Sequence, residues 1–182
     1  MRGIFVTGTG TGVGKTITCA ALVYRFRHLP SVRYWKPIQT GIEEDDDTGT
    51  VRTLSGCGAD RIFDRGIRLA RPLSPHLSAR LAGVRVTVQH LLDEARPMHS
   101  SPVIVEGAGG LLVPLNDREL MIDFIGRLAL PVVIVSHSGL GTINHTLLSV
   151  EALRARDLRI AGVIMVGERN DENQQAIEHH GQ

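Results

Sequence analysis

The chain has 182 residues, 42% of them hydrophobic, and 20 Lys and Arg against 19 Asp and Glu give a formal net charge of +1. That length suits one domain with a real core, and so even a charge balance gives no reason to expect nucleic acid or a membrane surface as partner. Cys19 and Cys57 make no disulfide framework, which points to a reducing cytoplasm, no run approaches the ~20 apolar residues that span a bilayer, and no signal peptide precedes the first strand-like segment.

The apolar run Ile4-Phe5-Val6 predicts a strand over residues 3–7. Gly8-Thr9-Gly10-Thr11-Gly12-Val13-Gly14-Lys15-Thr16 follows and opens a helix over 15–28, which Pro30 ends. A glycine-rich turn between strand and helix suits phosphate, because its backbone N–H groups and the helix N-terminus present partial positive charge. Lys15 and Thr16 then supply an ammonium for β/γ-phosphates and a hydroxyl for Mg²⁺. The spacing departs from G-x4-GK[ST]: five residues separate Gly8 from Gly14, and Thr9 holds the strict first position. A loop that binds nothing is the bland alternative, and the strand, glycines, Lys-Thr and helix together favour a nucleoside triphosphate. Cys19, among apolar neighbours, reads as a small core residue.

A second strand is predicted over 32–35, with Trp35 in the core. After it comes Lys36-Pro37-Ile38-Gln39-Thr40-Gly41. A lysine there can stabilise charge on a transferred phosphoryl group, although a solvated surface lysine is the simpler reading of that residue alone. The acidic run Glu43-Glu44-Asp45-Asp46-Asp47 lies in a segment, 43–57, that leads into a short helix stopped near Gly56 and Gly58. Such a run is usually only solvated, but beside a phosphate loop one carboxylate can hold Mg²⁺; the residues alone leave open which. Ser74-Pro75 predicts a helix start, and Thr87 caps a further helix through Ala95.

Pro102-Val103-Ile104-Val105-Glu106 predicts a buried strand that ends in an acid. A carboxylate there is costly unless exposed or paired, and metal duty of the Walker-B type outweighs a purely structural role. Gly107-Ala108-Gly109-Gly110 then permits close approach by a ligand. A helix over 118–130, a strand over 131–135, a helix over 142–156, a last strand over 160–166 and a polar helix from about Asp171 complete the chain. None of His28, His76, His90, His99, His137, His145, His179 and His180 shows metal-ligand spacing. His76 and His145 fall in site-facing segments, and the others read as surface or packing residues.

Continuous apolar strands alternating with helices predict an α/β fold: a mostly parallel twisted sheet with helices on both faces. Functional loops then belong at the carboxyl ends of the strands. The informative segments fall there, at 8–16, 36–41, 106–110 and 136–144.

Five segments occur in one order and spacing: residues 6–16, 36–41, Ser74-Pro75-His76, 105–110, and Gly139-Leu140-Gly141-Thr142-Ile143-Asn144-His145. On these the chain resembles the dethiobiotin synthetase family from residue 1 to about 165, and the longer glycine spacing is that family's. The resemblance implies a P-loop NTPase-like fold in a single domain over 1–182, with ATP (or another NTP) as co-substrate and Mg²⁺ as metal. It implies an enzyme of biotin synthesis that converts 7,8-diaminononanoate and CO₂ or bicarbonate to dethiobiotin, ADP and phosphate through a carbamate and a carbamic–phosphoric anhydride.

The same resemblance implies the site residues. Lys15, Lys36 and Thr11 act in catalysis. Gly12, Val13, Gly14, Lys15, Thr16, Glu106, Gly107, Ala108 and Gly109 hold the nucleotide. Thr16, Asp47 and Glu106 hold the metal. Thr40 contacts the substrate, and Gly141, Thr142, Ile143 and Asn144 reach it from the second subunit of a cytoplasmic homodimer. Two departures stand out. Val166-Gly167 replaces an Asn-Asp pair that meets adenine in many members, which leaves selectivity for adenine open and a looser or different base preference as the hypothesis. The family's following strand and helix are also expected to be absent after Gln182. The rival readings are a partitioning-type ATPase, a cobyrinate-type ligase and a non-catalytic nucleotide-binding module. Thr9, in place of a signature lysine, weighs against the first; the lack of room for a glutaminase domain weighs against the second. The third predicts no effect of replacing Lys36.

Overall fold

A computed structural model describes residues 1–98 and 100–182. In chain order these residues form β1 (Arg2–Gly8), α1 (Lys15–Arg25), β2 (Arg33–Trp35), β3 (Ile38–Thr40), α2 (Asp47–Ser55), β4 (Ile62–Phe63), β5 (Ile67–Leu69), α3 (Pro75–Leu81) and α4 (Val88–Ala95). There follow β6 (Pro102–Gly110), α5 (Met121–Leu128), β7 (Val132–His137), α6 (Thr142–Arg154), β8 (Ile160–Val166) and α7 (Asp171–His180). Six strands make one sheet in the order β4-β2-β6-β1-β7-β8, and every neighbouring pair is parallel.

Side chains alternate across the strands, so each strand feeds two cores. Phe5, Val105 and Ile134 join Leu91, Phe124, Ile125, Val150 and Leu153 on one side of the sheet. Val6, Tyr34, Ile104, Val133 and Val135 join Cys19, Ala20 and Val23 of α1 and Val51 of α2 on the other. This double coverage is why the strands read as unbroken apolar runs. Trp35 is buried as expected: its ring meets Phe63 and Phe124 edge-on at centroid distances of 6.0 and 6.1 Å. Its indole N–H donates to the Arg65 carbonyl at 2.8 Å, which satisfies its polar end in the core.

Several boundaries differ from the sequence expectations. The Lys36–Gly41 connection contains β3, paired in parallel with β5 as a separate small sheet; with β4, these strands are two or three residues long, too short for a periodicity. The third expected strand, β6, does not stop at Glu106. It runs to Gly110, which pairs with Gly8, because Gly107 has no side chain to strike the Phe5 ring, whose Cε1 lies 2.9 Å from where a Cβ would stand. The helix expected over 118–130 begins only at Met121. Asn116 Oδ1 accepts the N–H groups of Arg118 and Glu119, and this turn takes the residues that helix propensity alone would recruit. Helix α1 ends at Arg25 rather than His28, as the chain turns through Phe26 ahead of Pro30. His99 lies outside the described residues. Among the described residues no helix is long and apolar enough to cross a membrane.

Candidate active site

The carboxyl ends of β1, β2 and β6 meet at one end of the sheet. Loop 8–16 leaves β1 there, and Gly14 adopts φ +96 as the cap of α1. Any side chain at that position would be strained and would also meet Val166 Cγ1 of β8 at 2.9 Å. Lys15, the first residue of α1, turns back and donates from Nζ to the Gly10 carbonyl at 2.8 Å. Burial, with the nearby Lys36 charge, lowers its pKa.

Lys36 follows β2. The register pairs Trp35 with Val105, so the next step along both strands brings Lys36 level with Glu106. Lys36 is 3% exposed and Glu106 wholly buried. Nζ lies 2.6 Å from Glu106 Oε1 and 2.5 Å from Asp47 Oδ2. Thr16 closes the group, donating within 2.6 Å of Asp47 Oδ1 and 3.0 Å of Glu106 Oε1. Burial opposes the Lys36 ammonium, but Glu106 and then Asp47 outweigh it and its pKa is raised. Burial likewise opposes the Asp47 carboxylate, and Lys36 and Thr16 outweigh it, so its pKa is lowered. A buried charge is tolerated when paired and hydrogen-bonded in this way.

The acidic run, which the residues alone leave open and in which the family resemblance points to Asp47, is sorted by the start of α2. Asp46 is the N-cap, its carboxylate accepting from Gly49 N at 2.9 Å. Asp47, one residue later, meets Thr16 and Lys36, while Glu44 and Asp45 line the mouth of the cleft. Asp47 and Glu106 with the Thr16 hydroxyl form an all-oxygen donor set. That chemistry fits Mg²⁺, which is bound by one or two carboxylates with phosphates and waters completing its shell. Among the described residues no cluster of three or more His, Cys, Asp or Glu side chains is placed to hold a metal.

A cleft of about 590 Å³ spreads from this group. Thr11, Gly12, Gly14, Lys15, Thr16, Lys36, Thr40, Asp47, Glu106, Ala108 and Gly109 line it, which brings most of the expected residues together. Val13 and Gly107 do not line it. Val13 packs into the core around α1, and Gly107 lies over Phe5 with its carbonyl 3.4 Å from Lys36 Nζ. Gly141, Thr142, Ile143 and Asn144 stand apart from this cleft, at the start of α6. Thr142 is buried, and Leu140 beside them is fully exposed. Tyr34 was not singled out by sequence, yet its hydroxyl donates to Glu106 Oε2 at 2.9 Å. The available signal was its position two residues before Lys36, on the same face of the strand. Gln39, also in the cleft wall, ties Nε2 to the Asp45 carbonyl at 2.7 Å.

The pair predicts acid sensitivity. The folded pKa of Asp47 lies below its ordinary 3.8, so its stabilisation is complete above that value and is lost as pH falls through the folded pKa. Lys36 acts in the opposite sense, its contribution persisting until pH passes a folded pKa above 10.5. Urea midpoints measured from pH 7 downward should separate wild type from Asp47→Asn most near neutrality. The two curves should converge in acid; a constant gap would contradict the pairing.

A ParA family ATPase from Chlorobium tepidum shares the fold, with a TM-score of 0.56 over 97% of this chain and 80% of that one at 9% identity. The parallel sheet and its glycine-rich loop define a P-loop nucleotide-binding protein, and a family model described as an AAA domain matches residues 2–182. The ATP-dependent dethiobiotin synthetase BioD of Paramagnetospirillum magneticum is 49% identical over 100% of this chain and 84% of its own length; that of Rhodopseudomonas palustris is 48% identical over 96% and 79%. The chain belongs to the ATP-dependent dethiobiotin synthetase family.

Proposed function

We propose that the protein forms dethiobiotin from 7,8-diaminononanoate, CO₂ and ATP, releasing ADP and phosphate. The observation that carries this reading is the meeting of Lys15, Thr16, Lys36, Asp47 and Glu106 at one end of a cleft in a chain of this family.

One amine of the substrate adds to CO₂ and loses a proton, giving a carbamate. A carbamate oxygen attacks the γ-phosphorus of ATP, and ADP leaves. The second amine attacks the carbonyl of the mixed anhydride, the ureido ring closes, and phosphate departs with loss of a proton.

The chain's part is to hold these groups in line and to balance their charge. The backbone of Gly12, Val13 and Gly14 cradles the phosphates, with Ala108 and Gly109 on the far side and Gly107 contributing only through its carbonyl beside Lys36. Lys15 turns from the Gly10 carbonyl to the β/γ-phosphates, while Thr11 and Lys36 sit where carbamate and transferring phosphoryl meet. Thr40 faces the diamine. Thr16, Asp47 and Glu106 hold Mg²⁺, which supplies charge neutralisation for the triphosphate when bound. Gly141, Thr142, Ile143 and Asn144 complete the diamine site of a second copy in a cytoplasmic homodimer, in keeping with their distance from the cleft of their own chain.

Phosphate release by purified protein with ATP, Mg²⁺, bicarbonate and 7,8-diaminononanoate tests the reading. Release that stops when either the diamine or bicarbonate is left out is expected. Release indifferent to the diamine, or none from folded protein, would reject it.

A further inference from the structure

We propose that Tyr34 is a positioning residue for the Glu106 carboxylate, holding it so that one oxygen alone serves the metal. The proposal rests on the metal role given above to Glu106. Tyr34 and Glu106 are both wholly buried. The register sets Tyr34 opposite Ile104, so Glu106 lies two residues further along β6 on the same face. That diagonal is too long for a small side chain, and a phenol spans it. The hydroxyl donates to Oε2 at 2.9 Å, whereas Oε1 carries Thr16 and Lys36, both of which line the cleft. The two carboxylate oxygens are therefore divided: Oε2 is tied to the interior of the sheet face, and Oε1 is kept toward the site.

The partner of the hydroxyl is a carboxylate oxygen, which can only accept, so the phenol supplies the proton of this bond. Cys19 of α1 also interacts with Glu106. A thiol is a weak donor and does not replace the phenol. Partners that orient a metal-binding group from behind typically change metal affinity 10–100-fold when removed.

The test is Mn²⁺ binding, read by electron paramagnetic resonance on the full chain, for wild type, Tyr34→Phe, Glu106→Gln and the double variant. Tyr34→Phe is expected to weaken Mn²⁺ binding about 10-fold. It should raise the KM for Mg²⁺ by a similar factor, with kcat at saturating Mg²⁺ close to wild type and ADP affinity in the absence of metal unchanged. In the Glu106→Gln background the same change should add nothing. If Glu106→Gln binds Mn²⁺ like wild type, the metal role of Glu106 itself fails. If Glu106→Gln weakens binding but Tyr34→Phe does not, or if the two effects multiply, positioning by Tyr34 is overturned. Tyr34→Met, apolar and adaptable in volume, carries the same comparison should the phenylalanine variant not fold.

Discussion

Lys36→Met should lose both turnover and stability. Its ammonium is the counter-charge of two carboxylates, Asp47 and Glu106, in a place almost closed to water. Removing one partner of a buried ion pair leaves the other charge uncompensated, at a cost of about 3–5 kcal/mol. Methionine keeps most of the volume, so the loss reports charge rather than packing. The proposed chemistry adds a second loss, because Lys36 is the cation assigned there to the meeting point of carbamate and transferring phosphoryl group; by analogy with other phosphoryl-transfer cations, about 10³-fold or more in kcat is expected. Urea unfolding and single-turnover ADP formation separate the two effects. A variant as stable as wild type would show that the pairing contributes nothing, and unchanged kcat would remove Lys36 from the chemistry.

Lys15→Ala should lose turnover without losing stability. Lys15 is nearly as buried as Lys36, but its pKa moves the opposite way, lowered by burial and by Lys36. The folded protein thus disfavours the Lys15 charge, whereas it favours that of Lys36. Its hydrogen bond is to a loop carbonyl, with no carboxylate within ion-pair distance among the described residues. An ammonium that burial disfavours and no carboxylate pairs suits the phosphate that the proposed chemistry brings to it. The alanine variant is expected to melt at or slightly above the wild-type temperature, with kcat/KM for ATP reduced about 10³-fold. A destabilised Lys15→Ala, or one that still turns over at the wild-type rate, would contradict this division of labour between the two lysines.

Much of the fold was legible because β1, β6, β7 and β8 are continuous apolar runs separated by helices, a pattern that both-faced burial imposes. The short strands were not: β3 and β5 are stabilised by pairing with each other, which no local periodicity records. The start of α5 was misplaced because Asn116 organises a turn through its side chain. Within the site, Lys15, Thr16 and Glu106 were legible as positions at strand ends and a helix start. Asp47 was named among the five acids by the family resemblance and not by local pattern, because which acid turns toward Thr16 and Lys36 depends on Asp46 capping α2 through Gly49. Tyr34 escaped because its contribution exists only through the register of β2 against β6. The segment 141–144 remains outside the cleft of its own chain, so its proposed contact with the diamine depends on a second copy.

The most direct measurement is the fate of labelled bicarbonate. Purified protein is supplied with ¹³C-bicarbonate, ATP, Mg²⁺ and 7,8-diaminononanoate, and the organic product and phosphate are quantified together. The account predicts dethiobiotin carrying the label in its ureido carbonyl, with one phosphate released for each ring closed. Phosphate accumulating beside unchanged diamine, or no product from folded protein, would contradict it.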